Sequence, residues 1–570
     1  MNAHAERVLA LAGERIGDAA HGASLRELIA RAELDLLNEV SPGVAAGAHE
    51  ALLESVPVLR EGALAVEARP ANDRRNAGVF YTPPAIARHL TEVALGSIDT
   101  DRPRVCDPAA GAGVFLSEAS GLRPHAELHG VEMDPVAAAI AERAVPGAMI
   151  RVGDAFAHYW TEHFDVLLGN PPFKNQLKSR TANERALAAA LSDRSNGVVR
   201  GYADLAAAFL HHALEITRPG GVVAMVMPMS LLASRDTRPL RELIDREYAL
   251  EHLWVSRERA FGDRVRVCGV VIRKGGRRGP MITRSAGLKP ESAAPIERDD
   301  DPATWGPRVS DLWGVPRVSL QSERTLAEIA EVTADFRDEY YAVARALREH
   351  EAGDAPVITS GLIDPADCAW DERSTKIDKR SWTRPAVDPN ALGGKAAAWA
   401  ANRLVPKVLV ATQTRVIEAV VDEDGAWLPV TPVITVVPSE PGMLWHLAAL
   451  LSSPVTCAHA ASIAFGTSLS VDAIKLSAAQ VRELAVPEPS AAWDDAAAAL
   501  REASVCQRER PRRDALMRCG EAMLAAQGAC ADAVEWGRLL SWWAERLPCR
   551  SGRVESAPDA QAACEARASR

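Results

Sequence analysis

The chain has 570 residues, 48% of them hydrophobic and 25% charged, which excludes a disordered or fibrous class and leaves room for two to four domains. A formal net charge of −11 argues against a uniformly basic surface, so any nucleic-acid partner would have to be met by local basic stretches. The longest apolar run, Val222 to Ala233, is too short to span a bilayer, so no membrane association is expected. Met1 to Arg7 carries no apolar signal core. Nine cysteines scattered from Cys106 to Cys564 form no C-x-x-C pair. They suggest neither a zinc site nor a disulfide framework, no metal is expected, and they fit a reducing cytosol.

Residues 1–75 read as a small helical N-terminal extension suited to packing or partner contact. Leu25, Leu28, Ile29, Ala32 and Leu36 recur at helical spacing, and Ser24 with Glu27 forms a capping-box pattern. From 76 to 280 strand-like and helix-like segments alternate. Strands are expected at Arg104–Asp107, Glu127–Glu132, Met149–Val152, Phe164–Leu168, Val222–Met227 and Val267–Arg273. Helices are expected at Val114–Ala119, Val136–Val145, Tyr202–Ile216 and Arg238–Tyr248. Such alternation predicts an α/β domain, a doubly wound parallel sheet with helices on both faces.

Within it, Arg104 to Leu116 reads as a strand, a small-residue loop and a helix start. Gly111 and Gly113 allow close backbone approach, and the helix N-terminus favours negative charge. Glu132 follows nineteen residues after Gly113, at the end of the next strand, where an acid can take both ribose hydroxyls of an adenosine cofactor. A nicotinamide cofactor is the competing reading, but its fingerprint wants a glycine where Leu116 stands. After the following strand, Asp154 and Phe156 of Gly153-Asp154-Ala155-Phe156 would meet an adenine amino group and ring. Taken alone, Asp154 reads first as a turn or cap residue.

The run Phe164 to Phe173, F-D-V-L-L-G-N-P-P-F, is a buried strand ending in a stiff turn, because two prolines fix φ and remove two donors. Open α/β sheets bind ligands at the carboxyl ends of their strands. There, the Asn170 side-chain oxygen and the Pro171 carbonyl can accept both hydrogens of a base's exocyclic amino group, freeing the nitrogen lone pair. Phe173 can stack on the base. An ordinary Asn-Pro turn is the alternative for the tetrapeptide alone.

A polar stretch from Lys174 to Arg200 follows, readable as a loop closing over substrate or as plain surface. Residues 281–315, rich in Pro, Ser, Gly and Asp, read as a linker. Residues 316–490 read as an α+β domain with strands at Lys407–Ala411, Ile417–Val421 and Val433–Val437 and a helix from Leu444. Residues 491–548 read as helical, with Trp536, Trp542 and Trp543 as packing anchors, and 549–570 as a disordered tail. Basic residues gather at Arg257–Arg278 and Arg373–Arg415. Each stretch is a solvated face or a phosphate-contacting one.

Together these stretches resemble the S-adenosylmethionine-dependent DNA adenine-N6 methyltransferases of restriction–modification systems, in the gamma order of motifs with a C-terminal target-recognition domain. The matching stretches are Gly78–Pro83, Asp107–Leu116, Gly130–Pro135, Gly153–Phe156, Gly169–Phe173, Tyr202–Leu205 and Ala260–Phe261 running into Val267–Lys274. They cover roughly residues 76–275.

The resemblance implies a Rossmann-like class I fold, S-adenosylmethionine as cofactor and double-stranded DNA as substrate, with the target adenine flipped from the stack. Thr82, beside Tyr81, would hold the methionine carboxylate, and Asp107 the amino group, in a loop with Pro108, Ala109, Gly111 and Gly113. Glu132 would bind the ribose, and Asp154, Ala155 and Phe156 the adenine. Asn170, Pro171, Pro172 and Phe173 would form the catalytic turn against cofactor and base, and Phe261 a second aromatic contact to that base. Phe173 stands where many relatives have Tyr. The 316–490 region is similar to the specificity domains only in outline, around Phe465-Gly466-Thr467 and Leu484–Pro487.

Cytosine-N4 methylation, protein-glutamine methylation and a non-catalytic DNA-binding scaffold remain as alternatives. No segment resembles a nuclease, so cleavage would fall to a separately encoded restriction endonuclease. A cytoplasmic, nucleoid-associated location is expected.

Overall fold

The computed structural model describes residues 3–15, 24–53, 55–60, 63–68, 82–157, 160, 163–173, 189–199, 204–256, 266–275, 279, 281–288, 293–297, 303–319, 322–334, 337–411, 413–468, 473–528 and 533–549. The chain divides into two compact units, residues 1–313 and 314–570.

The first unit begins with helices α1 (Ala3–Glu14), α2 (Leu25–Leu36) and α3 (Pro42–Leu53). The predicted capping box forms, with the Glu27 amide donating to the Ser24 hydroxyl and the Ser24 amide to the Glu27 carboxylate at 2.6 Å. The extension is not wholly helical, however. Strands β1 (Ser55–Arg60) and β2 (Ala63–Ala68) pair as an antiparallel hairpin. Their alternating Val56, Val58, Leu64 and Val66 give a period of two, which overrides the helical reading.

A nine-stranded sheet follows. Its strands are β3 (Arg104–Asp107), β4 (Glu127–Glu132), β5 (Met149–Val152), β6 (Phe164–Gly169), β7 (Thr217–Pro228), β8 (Tyr248–Val255), β9 (Val267–Lys274), β10 (Met281–Ser285) and β11 (Ala293–Glu297). Their order across the sheet is β11-β10-β8-β9-β7-β6-β3-β4-β5. Strands β5, β4, β3, β6 and β7 pair in parallel, while β9 runs antiparallel between β7 and β8. Helices α4 (Pro84–Gly96), α5 (Val114–Leu122), α6 (Pro135–Ala144), α7 (Leu205–Ile216) and α8 (Arg238–Glu247) connect them. This is the Rossmann-like, doubly wound class I arrangement. The strand order reverses between β3 and β6, and such a switch point opens a crevice at the carboxyl ends of the strands.

Residues 281–315 are no linker. Strands β10 and β11 extend the sheet, with Ile282 wholly buried. Trp305 is also fully buried, and its indole donates to Asp245 Oδ2 of α8 at 2.8 Å. Arg308 pairs with the same carboxylate at 3.2 Å. The acidic, proline-bearing run at 298–302 suggested a linker, but two anchors downstream fasten the segment to α8.

In the second unit, strands Ala330–Ala334, Ile434–Pro438, Lys407–Ala411 and Glu418–Asp422 form an antiparallel sheet in that spatial order. A second four-stranded sheet contains Ala355–Ile358 and Pro385–Val387. Helices Ala491–Val505, Glu509–Gln527 and Ala533–Ala544 share one core with the first sheet, joined through Val408, Val436, Leu450, Leu500, Leu516 and Trp543. The boundary expected after residue 490 therefore divides no core, although Trp542 and Trp543 are buried as predicted. Residues 550–570 lie outside the described residues. No helix among the described residues is long and apolar enough to cross a membrane.

Candidate active site

Strand β6 is buried along its whole length and lies beside β3, with Val105 opposite Val166 and Cys106 opposite Leu167. The Asp165 carboxylate accepts the Arg104 amide at 2.7 Å and so fixes the amino end of this pair. At the other end the two strands deliver Asp107 and Gly169-Asn170 to the switch point.

Asp107 is 1% exposed, and its Oδ1 accepts the Ala109 amide at 2.9 Å. Burial pushes its carboxyl up to about 7, against the pull of that amide and with a further rise from the Glu132 charge. Gly169 makes room for it. A β-carbon on Gly169 would lie 2.9 Å from Asp107 Oδ1.

The loop after β3 is left-handed at Gly111 and Gly113, where φ is 53° and 85°. Gly113 also lets α5 start against α6, since a β-carbon there would come within 3.0 Å of Ala141 Cβ. Glu132, half-buried at the end of β4, accepts the Gly111 amide at 2.8 Å and the Asp134 amide at 2.8 Å. Its carboxylate thus ties the glycine loop to the cap of α6 and keeps lone pairs for a ligand. Asp134 caps α6 by accepting from Val136 at 2.8 Å, and its other oxygen lies 3.5 Å from His49 Nε2.

Asp154 accepts the Phe156 amide at 2.9 Å, so it does serve as a turn residue, but it remains exposed. Phe156 is half-buried, edge-on to Phe209 of α7 with centroids 4.6 Å apart, and Ala155 is buried beneath it. Arg194 fixes this turn by donating to the Phe156 carbonyl at 2.7 Å. Asn170 is half-buried with its Oδ1 shielded from solvent, Pro171 is buried and Pro172 half-buried. Phe173 is only 6% exposed. Thr82 is buried just ahead of α4. Tyr81, Phe261 and residues 174–188 lie outside the described residues.

Two residues beside these positions were given no role in the sequence reading. Met133, 72% exposed directly after Glu132, leaves an apolar side chain where a flat ring could rest on it. Its signal was only its place in the Gly130–Pro135 stretch. Arg194 gave no local signal, since its role is a main-chain contact made 38 residues away.

The arrangement therefore offers a crevice with two carboxylates, a glycine loop, an exposed methionine and a stiff amide-bearing turn. Two converging carboxylates suit a cationic ligand better than a pyrophosphate. A family model described as N-6 DNA methylase matches residues 65–252.

The matched segment contains Thr82, Asp107, Glu132, Asp154 and Asn170. The chain is 30% identical over 206 residues to type II methyltransferase M.CvrRI of Paramecium bursaria Chlorella virus XZ-6E, covering 35% of this chain and 50% of that protein. It is 26% identical over 307 residues to type II methyltransferase M.TthHB8I of Thermus thermophilus, covering 52% and 68% respectively. Among solved structures, the type IIG restriction endonuclease BpuSI is 13% identical with a TM-score of 0.39, over 84% of this chain and 67% of that one. The chain spans half the length of M.CvrRI.

Proposed function

We propose that this chain is a site-specific DNA methyltransferase acting on the N6 amino group of adenine in duplex DNA, as the modification component of a restriction–modification or related defence system. The observation that carries the reading is the Gly169–Phe173 turn standing beside Asp107 at the switch point of a methylase-family segment. S-adenosylmethionine, when bound, supplies an electrophilic methyl group on a sulfonium.

Asp107 and Glu132 fit that cationic molecule by charge, Asp107 toward its ammonium and Glu132 toward its ribose. Met133, Asp154 and Phe156 would border the adenine. Thr82 would take the carboxylate, together with Tyr81. Asn170 Oδ1 and the Pro171 carbonyl would accept the two amino hydrogens of the target base. That orients the nitrogen lone pair, and proton loss after transfer needs no strong base. Catalysis is then positioning and hydrogen bonding at one nitrogen. The Phe173 ring is largely covered, so stacking on a base requires it to be uncovered first. Phe261 would be the second aromatic wall.

Sequencing that detects modified bases, on DNA from cells expressing wild type or Asn170→Ala, tests this directly. N6-methyladenine at one motif with wild type only supports the reading. Marks on cytosine N4 would keep the fold and change the base. A methylated peptide glutamine with unmarked DNA would point to a protein substrate, and marks that survive Asn170→Ala would reject the assigned turn.

A further inference from the structure

The basic stretch 373–415 separates into two kinds of residue. Arg373 donates to Asp364 at 2.8 Å and to the Gly361 carbonyl at 2.7 Å, Arg384 pairs with Asp371 at 3.3 Å, and Lys407 is fully buried against Asp422. These are structural. Lys376, Lys379, Arg380, Lys395 and Arg415 are exposed, and no hydrogen bond or ion pair among the described residues engages their side chains.

Three of these, Lys376, Lys379 and Arg380, sit together on one hairpin, Thr375–Ile377 paired antiparallel with Arg380–Trp382. Its turn places Asp378 and Lys379 at φ of 49° and 64°, left-handed backbone normally given to Asn-Gly. One side of the hairpin is held firmly. Ile377 is 1% exposed in a core with Val357, Val387 and Leu428. Thr375 and Thr359 share a 2.8 Å hydroxyl hydrogen bond, and the Asp378 amide donates to the Tyr340 hydroxyl at 2.9 Å. Lys376 pairs across the ribbon with exposed Ser381. The result is a rigid two-stranded ribbon with three uncommitted cations and one carboxylate, Asp378, at its tip, in a chain of net charge −11.

We propose that the hairpin 375–382 is the element of the second unit that reads duplex DNA from the major groove, with Lys379 and Arg380 at base edges and Lys376 on a phosphate. This rests on the methyltransferase reading above. A two-stranded ribbon fits the width of the major groove, and an arginine can bond guanine O6 and N7 together. Local positive charge on an acidic protein is explained by a polyanionic partner. Anchoring before binding removes the ordering cost that a loose loop would carry.

The test uses the full chain, wild type against Lys376→Ala/Lys379→Ala/Arg380→Ala, on duplexes carrying the motif identified by modified-base sequencing. The triple variant should melt at the wild-type temperature and bind S-adenosylmethionine equally. Its DNA affinity should fall, with the slope of log K against log salt smaller by about 1 for the single phosphate contact of Lys376. Arg380→Lys, which keeps the charge and loses the bidentate fork, should keep the slope and accept other bases at one position of the motif. A wild-type slope, affinity and motif in both variants would overturn the hairpin assignment while leaving the methyltransferase reading intact. A wild type that neither binds duplex DNA nor marks it overturns both.

Discussion

Gly169 and Asp107 are complementary across two neighbouring strands: the carboxylate occupies the space that a side chain at 169 would need, with only 2.9 Å between Oδ1 and a β-carbon. Gly169→Ala should therefore displace Asp107 rather than unfold the sheet. Loss of one charge-assisted contact is worth about 1.5–3 kcal/mol, so calorimetry should show S-adenosylmethionine binding weakened roughly tenfold to hundredfold. Unchanged affinity would remove Asp107 from the cofactor site.

The raised carboxyl of Asp107 gives cofactor binding a pH dependence. Only the ionised form attracts an ammonium group, and it is half-populated at about pH 7. Affinity should rise by up to about tenfold per pH unit toward 7 and flatten above it. The apo protein should show the opposite sign, because a carboxyl raised on folding costs stability as pH climbs from the ordinary carboxylate range to 7. Asp107→Asn should bind weakly with neither slope.

Asn170→Ala should separate binding from reaction. Cofactor affinity should change little, while methylation under single-turnover conditions should fall about a hundredfold or more. An equal loss in both measurements would make Asn170 a cofactor contact only.

His49, 2% exposed, lies between Glu33 at 2.9 Å and Asp134 at 3.5 Å. Burial lowers its basicity, but the hydrogen bonds to Asp134 and Glu33 overcome this and raise it to about 9. For a histidine raised on folding, the stabilisation is complete below pH 6.5 and is lost as pH passes 9. It amounts to something on the order of 3 kcal/mol. Thermal melts of His49→Gln between pH 6 and 10 should lack that component, and a pH dependence matching wild type would rule the histidine out.

The fully buried Lys407 faces Asp422, which also accepts the Ala426 and Trp427 amides at 3.0 and 2.9 Å. Asp422→Ala strands a buried ammonium and should cost the second unit about 3–5 kcal/mol in denaturant unfolding. Lys407→Met should cost less than that.

The parallel half of the sheet and the turn at its switch point were legible because each strand there is a short apolar run bounded by glycine or proline. Strand β8 was not. Glu251 and His252 break its apolar run, and Tyr248 follows α8 with no turn residue between them. His252 is nonetheless buried, facing Ser285 on β10. The reversed direction of β9 also lay beyond local reading, since pairing direction depends on neighbours distant in sequence. In the candidate site, residue types and spacing singled out Glu132 and Asn170, and the resemblance added Asp107. Their mutual fit, such as the reason for glycine at 169, needed three dimensions. So did the link from His49 to the α6 cap, which joins positions 85 residues apart.

The hairpin at 375–382 divides its labour: Ile377 is buried and Thr375 and Trp382 half-buried, while Lys376 and the run Asp378 to Ser381 are exposed. Lys376, Arg380 and Ser381 are exposed, and surface changes usually stay within about 0.5 kcal/mol, whereas the left-handed backbone at Lys379 disfavours β-branched replacements. If the hairpin reads bases as proposed, a lineage carrying this protein can move from one target word to another through a few substitutions that leave the fold intact. On that reading, Lys376, Arg380 and Ser381 are the natural positions to randomise in a library when a new specificity is wanted.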